Sequence, residues 1–315
     1  METHDIRSIA IVGAGLMGHG IAVEFALAGY TVHLHDLTEE RLLQAKASIQ
    51  GTLQRLVRLG LVEAAQAEVA PTRIRGSTEL KTVVTDADVV IEAIVEDLNL
   101  KRQVFQALDQ LCPSRTILAS NSSSFNPSQL AIATRRPGKV LVAHYFNPPY
   151  LLPLVEIVRG PATSDATVHT MYDLLTKVGK RPALVQHEVP GFIGNRLQIA
   201  LVREALSIVE QGIASPQDVD TVIKNGFGRR LAAAGVFEIF EIAGWGLVSS
   251  VMANLLPHIS SSTELPRTLQ DKVSRGELGV KTGRGFYTWT AESAEALQQR
   301  IARTLATIAQ LSRGD

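Results

Sequence analysis

A histidine and a glutamate lie on either side of a proline-broken turn in the middle of the chain. His144 follows the apolar run 140–143, and Glu156 lies inside the β-branched run 154–158. A hairpin of this length can place the two side chains next to each other. Because an unpaired carboxylate inside an apolar strand is costly, Glu156 needs a partner, and an imidazole is a suitable one. A carboxylate on one ring nitrogen raises the basicity of the other, so the pair predicts a general base that removes a hydroxyl proton.

A glycine-rich turn near the N-terminus has the spacing G-x-G-x-x-G. It follows the β-branched run 8–12 and opens a helical stretch, which is the context that a dinucleotide-binding turn requires. Its glycines let the backbone approach a pyrophosphate, and the helix N-terminus offers N–H donors and a partial positive charge. The predicted cofactor-binding residues of this turn are Gly13, Ala14, Gly15, Leu16, Met17 and Gly18.

An acidic residue ends the next predicted strand. Asp36 comes 23 residues after Gly13, where a carboxylate can accept hydrogen bonds from the adenine-ribose hydroxyls of NAD. The same carboxylate would repel the 2′-phosphate of NADP, and Arg41 is the residue that could reverse this preference. We therefore predict NAD as the cofactor. A general base beside NAD is what the oxidation of an alcohol needs.

Short β-branched runs alternate with longer amphipathic stretches through the first half of the chain. This alternation is typical of a parallel sheet covered by helices. The predicted strands are residues 8–12, 31–35, 88–91, 116–119, 140–143 and 154–158, and the predicted crossover helices are 18–28, 39–59 and 101–111. Gly29 and Gly60 are the predicted stops of the first two helices. The pattern predicts an α/β protein whose NAD-binding domain, residues 1–187, is a Rossmann doubly wound sheet.

The hydrophobic period changes near Pro190, where the strand pattern ends. Apolar residues then recur at helical spacing, beginning with Ile193, Leu197, Leu201 and Ile208. A last amphipathic helix is predicted from Leu297, Ile301, Leu305, Ile308 and Leu311. The sequence predicts a smaller all-helical C-terminal domain over residues 188–315.

Composition argues against several classes of partner. The 31 basic and 31 acidic residues balance to zero net charge, which favours a small-molecule substrate over nucleic acid or a membrane. Cys112 is the only cysteine, which excludes an internal disulfide and fits a reducing compartment.

No metal site is predicted, because no acidic or Cys ligands cluster with His33 and His35. With no N-terminal leader and no apolar run near roughly 18 residues, we expect a soluble cytoplasmic protein.

Over nearly its whole length the sequence resembles the L-3-hydroxyacyl-CoA dehydrogenase superfamily. The matching blocks follow in that family's order: 13–22, 90–101, 120–124, 144–148, 154–157, 190–196 and 281–287. The resemblance implies an oxidoreductase in which His144 is the catalytic base and Glu156 orients it. It implies that Ser123 and Asn195 hydrogen-bond the substrate oxygen or the cofactor. It also implies further NAD contacts from Glu96, Lys101, Asn147 and Lys281.

Each of these implied roles has an ordinary structural alternative. Residues 122–124 could cap a helix, and Asn195 could be a hydrogen-bonded core amide. Glu96 and Lys101 could form an exposed pair on a helix. The resemblance further implies that the helical domain closes over the substrate and forms a homodimer, as in enzymes of fatty acid metabolism.

The sequence departs from the acyl-CoA members at three places. The stretch 48–60, where those members carry a Lys-rich helix for CoA phosphates, has only Arg55 and Arg58 as cations. The blocks 147–156 and 226–238 look more like the branch that includes L-gulonate 3-dehydrogenase, lambda-crystallin, carnitine dehydrogenase and a pyridine-carboxylate dehydrogenase. Arg229 or Arg230 could bind a small carboxylate there, or both could be surface charges. Against this branch, the block 281–287 has the ending of the acyl-CoA enzymes.

Three hypotheses follow from the sequence. The leading one is NAD-dependent oxidation of a 3-hydroxyacyl-CoA or free 3-hydroxy acid to the 3-keto compound. The alternative is a dehydrogenase of a free carboxylate-bearing alcohol, of carnitine, gulonate or pyridine-carboxylate type, without CoA. The third, of another class, is a crystallin-like structural protein that binds NAD, and it would not require His144, Glu156, Ser123 and Asn195 to be present together. A decarboxylation that follows the oxidation stays open.

Overall fold

The computed structural model describes residues 3–311, and its first part is built on one eight-stranded sheet. The strands are β1 (Ser8–Val12), β2 (Thr31–His35), β3 (Ile74–Ser77), β4 (Val89–Glu92), β5 (Ile117–Ser120), β6 (Val140–Tyr145), β7 (Leu154–Arg159) and β8 (Arg181–Val185). Their order in the sheet is β3-β2-β1-β4-β5-β6-β7-β8. Neighbours pair in parallel except β6 and β7, which are antiparallel. The predicted doubly wound sheet is confirmed.

Seven α-helices surround this sheet. They are α1 (Leu16–Leu27), α2 (Glu39–Arg58), α3 (Ala64–Val69), α4 (Leu80–Val84), α5 (Leu98–Leu111), α6 (Pro127–Ala131) and α7 (Asp165–Lys177), with short 3-10 helices at Thr3–Asp5, Ala70–Arg73 and Pro137–Lys139. Polar side chains cap the N-termini of several of these helices. Thr38 accepts from the Arg41 N–H at the start of α2, and Asp97 accepts from the Leu100 N–H at the start of α5. Gly29 and Gly60 end α1 and α2 with φ of 94° and 67°, a backbone conformation that glycine adopts without strain.

The central strands carry the core. The side chains of Ile9–Ile11 and Val89–Ile91 are fully buried, because helices cover both faces of the sheet there. All six predicted strands and all three predicted crossover helices are present, with ends that coincide or differ by at most three residues. The sequence analysis missed the edge strands β3 and β8 and the helices α3, α4, α6 and α7. Arg75 and Gly76 interrupt the apolar pattern of β3, and Pro182 in β8 lacks the N–H that a strand donates to its neighbour.

The second part of the chain is helical, as predicted. Its helices are α8 (Gly194–Glu210), α9 (Pro216–Asn225), α10 (Phe227–Leu231), α11 (Val236–Ala243), α12 (Trp245–Leu255), α13 (Arg267–Ser274) and α14 (Ala291–Leu311), with a 3-10 helix at Val280–Thr282. Two isolated β-bridges, Gly279 with Arg284 and Arg284 with Thr288, shape the segment before α14.

Contacts divide the chain into two compact units. One division lies between Ile193 and Gly194, a few residues after the predicted boundary of 187/188. A second division, between Thr304 and Leu305, groups the last turns of α14 with the sheet unit. There Gln310 donates from Nε2 to the Leu59 carbonyl at 3.0 Å.

Membrane-spanning potential is limited to one bent pair of helices. Between residues 3 and 311, no single helix combines the length and apolar composition of a bilayer span. Helices α11 and α12 meet those criteria only together, and they meet at a bend of 106°.

Candidate active site

His144 and Glu156 face each other across the β6–β7 hairpin. The antiparallel register pairs the two residues directly. Nδ1 of His144 lies 2.8 Å from Oε2 of Glu156, and both side chains are buried. The predicted juxtaposition is confirmed, and it arises because the strands that flank the proline-broken turn pair with the two residues in register.

The other ring nitrogen of His144 contacts Ser123. Nε2 lies 3.1 Å from the Ser123 hydroxyl oxygen. Because Glu156 can only accept when ionised, Nδ1 is the protonated nitrogen and Nε2 carries the lone pair. Ser123 itself is exposed. The arrangement therefore presents a basic nitrogen and a hydroxyl at the open side of the site.

A strained turn holds the second oxygen of Glu156. The Ile193 N–H donates to Oε1 at 2.9 Å. The residue before it, Phe192, has a φ of 50°, a conformation uncommon for a residue with a bulky side chain. Its fully buried ring stands edge-on to the His144 imidazole at 5.5 Å, and the Phe146 ring lies at 4.8 Å. The two aromatic rings therefore confine the imidazole.

The sequence analysis missed the part that this turn plays. No pattern within block 190–196 shows that Phe192 adopts a positive φ or which carboxylate the Ile193 N–H reaches. Such a contact joins residues distant in sequence, so only the folded chain reveals it.

Glu96 organises the loop that carries Ser123. Its Oε1 accepts from the Ser122 hydroxyl at 2.5 Å, from the N–H groups of Ser123 and Ser124 at 3.0 and 2.9 Å, and from the Ser124 hydroxyl at 2.7 Å. Although burial opposes its charge, the hydrogen bonds from Ser122 and Ser124 and the Lys101 ammonium lower the pKa of Glu96. Helix α6 begins later, with Asn126 at its N-cap. The serines therefore belong to a carboxylate-centred loop, and the helix-capping alternative is wrong.

Lys101 lies in a buried charge network. Its Nζ is 2.7 Å from Oε1 of Glu92 and 3.2 Å from Oε2 of Glu96, and the Ser120 hydroxyl donates to the other Glu92 oxygen at 2.6 Å. Glu96 precedes α5 and Lys101 is 1% exposed, so the alternative of an exposed helical pair is wrong. Glu92 was missed, although a carboxylate at the end of an apolar strand is the same signal that drew attention to Glu156.

The glycine-rich turn has the shape that a dinucleotide requires. A Cβ on Gly13 would lie 2.6 Å from the Ala93 carbonyl oxygen, and one on Gly18 would lie 1.8 Å from the Gly13 oxygen. A Cβ on Gly15 would meet nothing within 4 Å. Gly13 and Gly18 thus permit close packing of the turn, while Gly15 leaves open space beside the N-terminus of α1. The residues present therefore fit a bound pyrophosphate.

Asp36 reaches back to the same turn. Its carboxylate accepts from the N–H groups of Ala14 at 2.9 Å and Leu37 at 2.7 Å, and the Arg41 guanidinium lies 3.3 Å away. Although burial raises it, these hydrogen bonds and the Arg41 charge lower the pKa of Asp36 overall. Asp36 is therefore an ionised acceptor beside the turn, where the ribose of NAD is predicted. Arg41, the cation noted in the sequence, contacts this carboxylate directly.

The remaining predicted site residues lie elsewhere. Asn147 is exposed in the loop between β6 and β7. Asn195, Arg229, Arg230 and Lys281 belong to the second unit, where Asn195 is half-buried near the start of α8 and Lys281 is exposed. Arg229 donates to the Lys224 carbonyl and to the Asn225 side chain at 3.1 and 3.2 Å. The roles of these residues stay predictions, while His144, Glu156, Ser123, Glu96 and Lys101 are brought together.

Comparison with known families decides the identity of both parts of the chain. The description "3-hydroxyacyl-CoA dehydrogenase, NAD binding domain" matches residues 8–189, and "3-hydroxyacyl-CoA dehydrogenase, C-terminal domain" matches residues 191–289. The chain belongs to the 3-hydroxyacyl-CoA dehydrogenase family. It is an NAD-dependent oxidoreductase, and the predicted family resemblance is confirmed.

Several members of the family are similar over most of their length. The 5-formyl-3-hydroxy-2-methylpyridine 4-carboxylate 5-dehydrogenase of Mesorhizobium japonicum is 32% identical and covers 98% of this chain and 99% of its own. A crystal structure of an enzyme of that name, described as an NAD+ dependent dismutase, has a TM-score of 0.91 at 32% identity, with coverage of 98% and 99%. Mitochondrial hydroxyacyl-coenzyme A dehydrogenase of Rattus norvegicus is 35% identical over 90% of this chain and 91% of its own. Lambda-crystallin of Oryctolagus cuniculus is 37% identical over 76% of each chain.

Proposed function

We propose that this member of the family oxidises the 3-hydroxyl of a 3-hydroxyacyl-CoA or a free 3-hydroxy acid to the ketone. The observation that carries the proposal is the line of contacts from Glu156 through both nitrogens of His144 to Ser123. NAD, when bound at the glycine-rich turn, supplies the acceptor for hydride. The chain's own residues supply proton transfer and orientation.

In this proposal His144 takes the hydroxyl proton at Nε2. Glu156 holds the proton on Nδ1 through their 2.8 Å contact and stabilises the imidazolium that forms. The Ser123 hydroxyl donates to the substrate oxygen as negative charge develops on it. Phe146 and Phe192 limit rotation of the imidazole. Asn195 is proposed as a second donor to that oxygen.

Formation of NADH tests the proposal directly. The purified protein is supplied with NAD and, in separate reactions, 3-hydroxybutyryl-CoA, free 3-hydroxybutyrate, carnitine, gulonate and an aromatic hydroxymethyl acid. We expect NADH from at least one 3-hydroxy compound of the first pair. Absence of NADH with every alcohol, together with tight NAD binding, would instead favour a crystallin-like structural protein.

A second candidate is a dehydrogenase of a free carboxylate-bearing alcohol, without CoA. Two observations favour it: residues 48–60 contain only two cations, Arg55 and Arg58, and the pyridine-carboxylate enzyme is similar over 98% of the chain. Arg229 is held by Lys224 and Asn225 in the second unit, so the exposed Arg230 is the better candidate to bind a carboxylate. A preference for the free acids over the CoA ester would support this candidate, and the reverse preference would contradict it.

We also propose that the protein is a homodimer of the cytoplasm. Helices α11 and α12 expose large apolar side chains, among them Phe237, Ile242 and Leu247, and such patches mark protein interfaces. The single free cysteine is compatible with a reducing compartment. Light scattering on the purified protein tests the dimer: a mass of one chain at micromolar concentration would contradict it.

A further inference from the structure

A lysine outside the catalytic pair is buried, and its ammonium group has a partner for each of its three N–H donors. Two of these partners lie in a loop and the third lies on a helix. Lys180, just before β8, is 4% exposed. Its Nζ donates to the carbonyl of Pro149 at 2.6 Å and to that of Leu152 at 3.1 Å, and it forms an ion pair with Glu24 of α1. An ammonium group has three N–H donors, so this side chain is fully used.

The two carbonyls belong to the loop that joins the catalytic strands. Residues 146–153 connect β6, which carries His144, to β7, which carries Glu156. Phe146, the first residue of this loop, packs against the His144 ring with centroids 4.8 Å apart. Any shift of the loop therefore moves a ring that confines the imidazole.

The third partner belongs to the nucleotide-binding helix. Glu24 lies on α1, which begins directly after Gly15. The same helix also contacts the loop at Gly20, where a Cβ would lie 2.6 Å from Cγ of Pro149. Loop 146–153 is thus packed against the α1 backbone and is fastened there by the Lys180 ammonium.

We propose that Lys180 is a positioning residue for the dehydrogenase reaction. By holding loop 146–153 against α1, it fixes the end of the β6–β7 hairpin that carries His144 relative to the helix of the nucleotide site. A buried ion pair adds little net stability compared with apolar residues of the same size, so a role in geometry accounts better for its presence here. The inference rests on the proposed function, because it concerns the rate of the same oxidation.

The test must separate the loop contacts from the ion pair. Burial raises the pKa of Glu24 to about 7, against the lowering effect of the Lys180 charge. Lys180→Met alone would leave that acid buried without its cation and would lower stability for this reason alone. The informative comparison is therefore between Glu24→Gln, which keeps Lys180 on its two carbonyls, and the double variant Glu24→Gln/Lys180→Met. Lys177→Met, at an exposed lysine of α7, is the matched control.

We expect kcat of the double variant to fall at least about tenfold below that of Glu24→Gln, because small misplacements of catalytic groups are costly. The kinetic isotope effect on kcat, with substrate deuterated at the carbinol carbon, is expected to rise as the chemical step becomes limiting. Amide hydrogen exchange in residues 147–152 is expected to become faster in the double variant. Lys177→Met should match the wild type in all three measurements.

A smaller fall in kcat, an unchanged isotope effect or unchanged loop exchange would each overturn the positioning role. These outcomes are distinct from failure of the proposed function. A wild type that forms no NADH from any alcohol contradicts that function, whereas an active wild type whose double variant equals Glu24→Gln contradicts only the role of Lys180.

Discussion

The ring of Phe192 stands edge-on to the imidazole of His144, with centroids 5.5 Å apart and planes at 62°. The same residue has a φ of 50°, and the next N–H along the chain donates to Glu156. One turn therefore supports both members of the catalytic pair, the histidine through its ring and the glutamate through its backbone.

Replacement of Phe192 by Ala should slow turnover more than it weakens NAD binding. Loss of the ring lets the imidazole rotate and lets water reach Glu156, so we expect kcat to fall roughly 10–100-fold. Truncation of a buried Phe also costs about 3–5 kcal/mol of stability. Phe192→Leu, which keeps most of the apolar volume, should recover much of the stability and part of kcat. Denaturant titration and steady-state rates measure both effects, and an unchanged kcat in folded Phe192→Ala would refute the supporting role.

Replacement of Ser123 by Ala should lower kcat about 10–100-fold, because one donor to the developing oxyanion is lost. The side chain is exposed, so the melting temperature should hardly change. Ser124→Ala is the matched control, since the Ser124 hydroxyl donates to Glu96, whereas that of Ser123 contacts His144. Equal rates for the two variants would count against a specific role for Ser123.

Glu24 should make the protein less stable as pH rises. Its pKa in the folded protein, about 7, is above the ordinary value of 4.5, so the folded state binds more protons between these two values. The stabilisation is complete below about pH 4.5 and is lost as pH rises through about 7. Urea titrations at pH 5 and pH 8 give the difference in unfolding free energy between the two pH values. We expect this difference to be smaller in Glu24→Gln than in the wild type by up to about 2–3 kcal/mol, the order of magnitude that follows from this pKa shift. Glu68→Gln, at an exposed position on α3, should leave the difference unchanged, and a Glu24→Gln variant with the same difference as the wild type would contradict the assignment.

Asp36 should determine affinity for NAD. Asp36→Ala removes an ionised acceptor beside the glycine-rich turn, so we expect the Kd of NAD to rise about 10–100-fold and the preference over NADP to decrease. Arg41→Ala should have a much smaller effect on Kd for NAD, since the Arg41 side chain is exposed and an ion pair open to solvent on one side contributes about 0–1 kcal/mol. Titration calorimetry with both dinucleotides measures this. An unchanged Kd in Asp36→Ala would exclude the carboxylate from the ribose site.

The sequence predicts those parts of the site that depend on local pattern. The His144–Glu156 pair could be foreseen because a proline-broken turn between two β-branched runs predicts an antiparallel hairpin, and the buried carboxylate requires a partner. The glycine-rich turn and Asp36 could be foreseen from spacing alone. The strands β3 and β8 could not, because both are only partly buried, and Arg75 and Gly76 in β3 and Pro182 in β8 disguise the strand pattern.

Contacts between distant segments are the part that local pattern does not contain. Glu96 gathers three serines from a loop 26–28 residues away, and Ile193 reaches Glu156 across 37 residues. Lys180 was not singled out in the sequence, because a lysine beside a glycine resembles an ordinary surface residue at the end of a helix. Such pairings depend on how the sheet is assembled, which the order of hydrophobic residues does not specify.

In the proposed reaction, Nε2 of His144 is the base for alcohol oxidation. The most direct measurement is the rate of NADH formation by His144→Ala, compared with the wild type and with His169→Ala at an exposed position on α7. We predict that kcat of His144→Ala falls roughly 10²–10⁴-fold, the usual contribution of a general base, while the Kd of NAD stays within about twofold. His169→Ala should match the wild type. Near-normal turnover by His144→Ala would show that His144 is not the base.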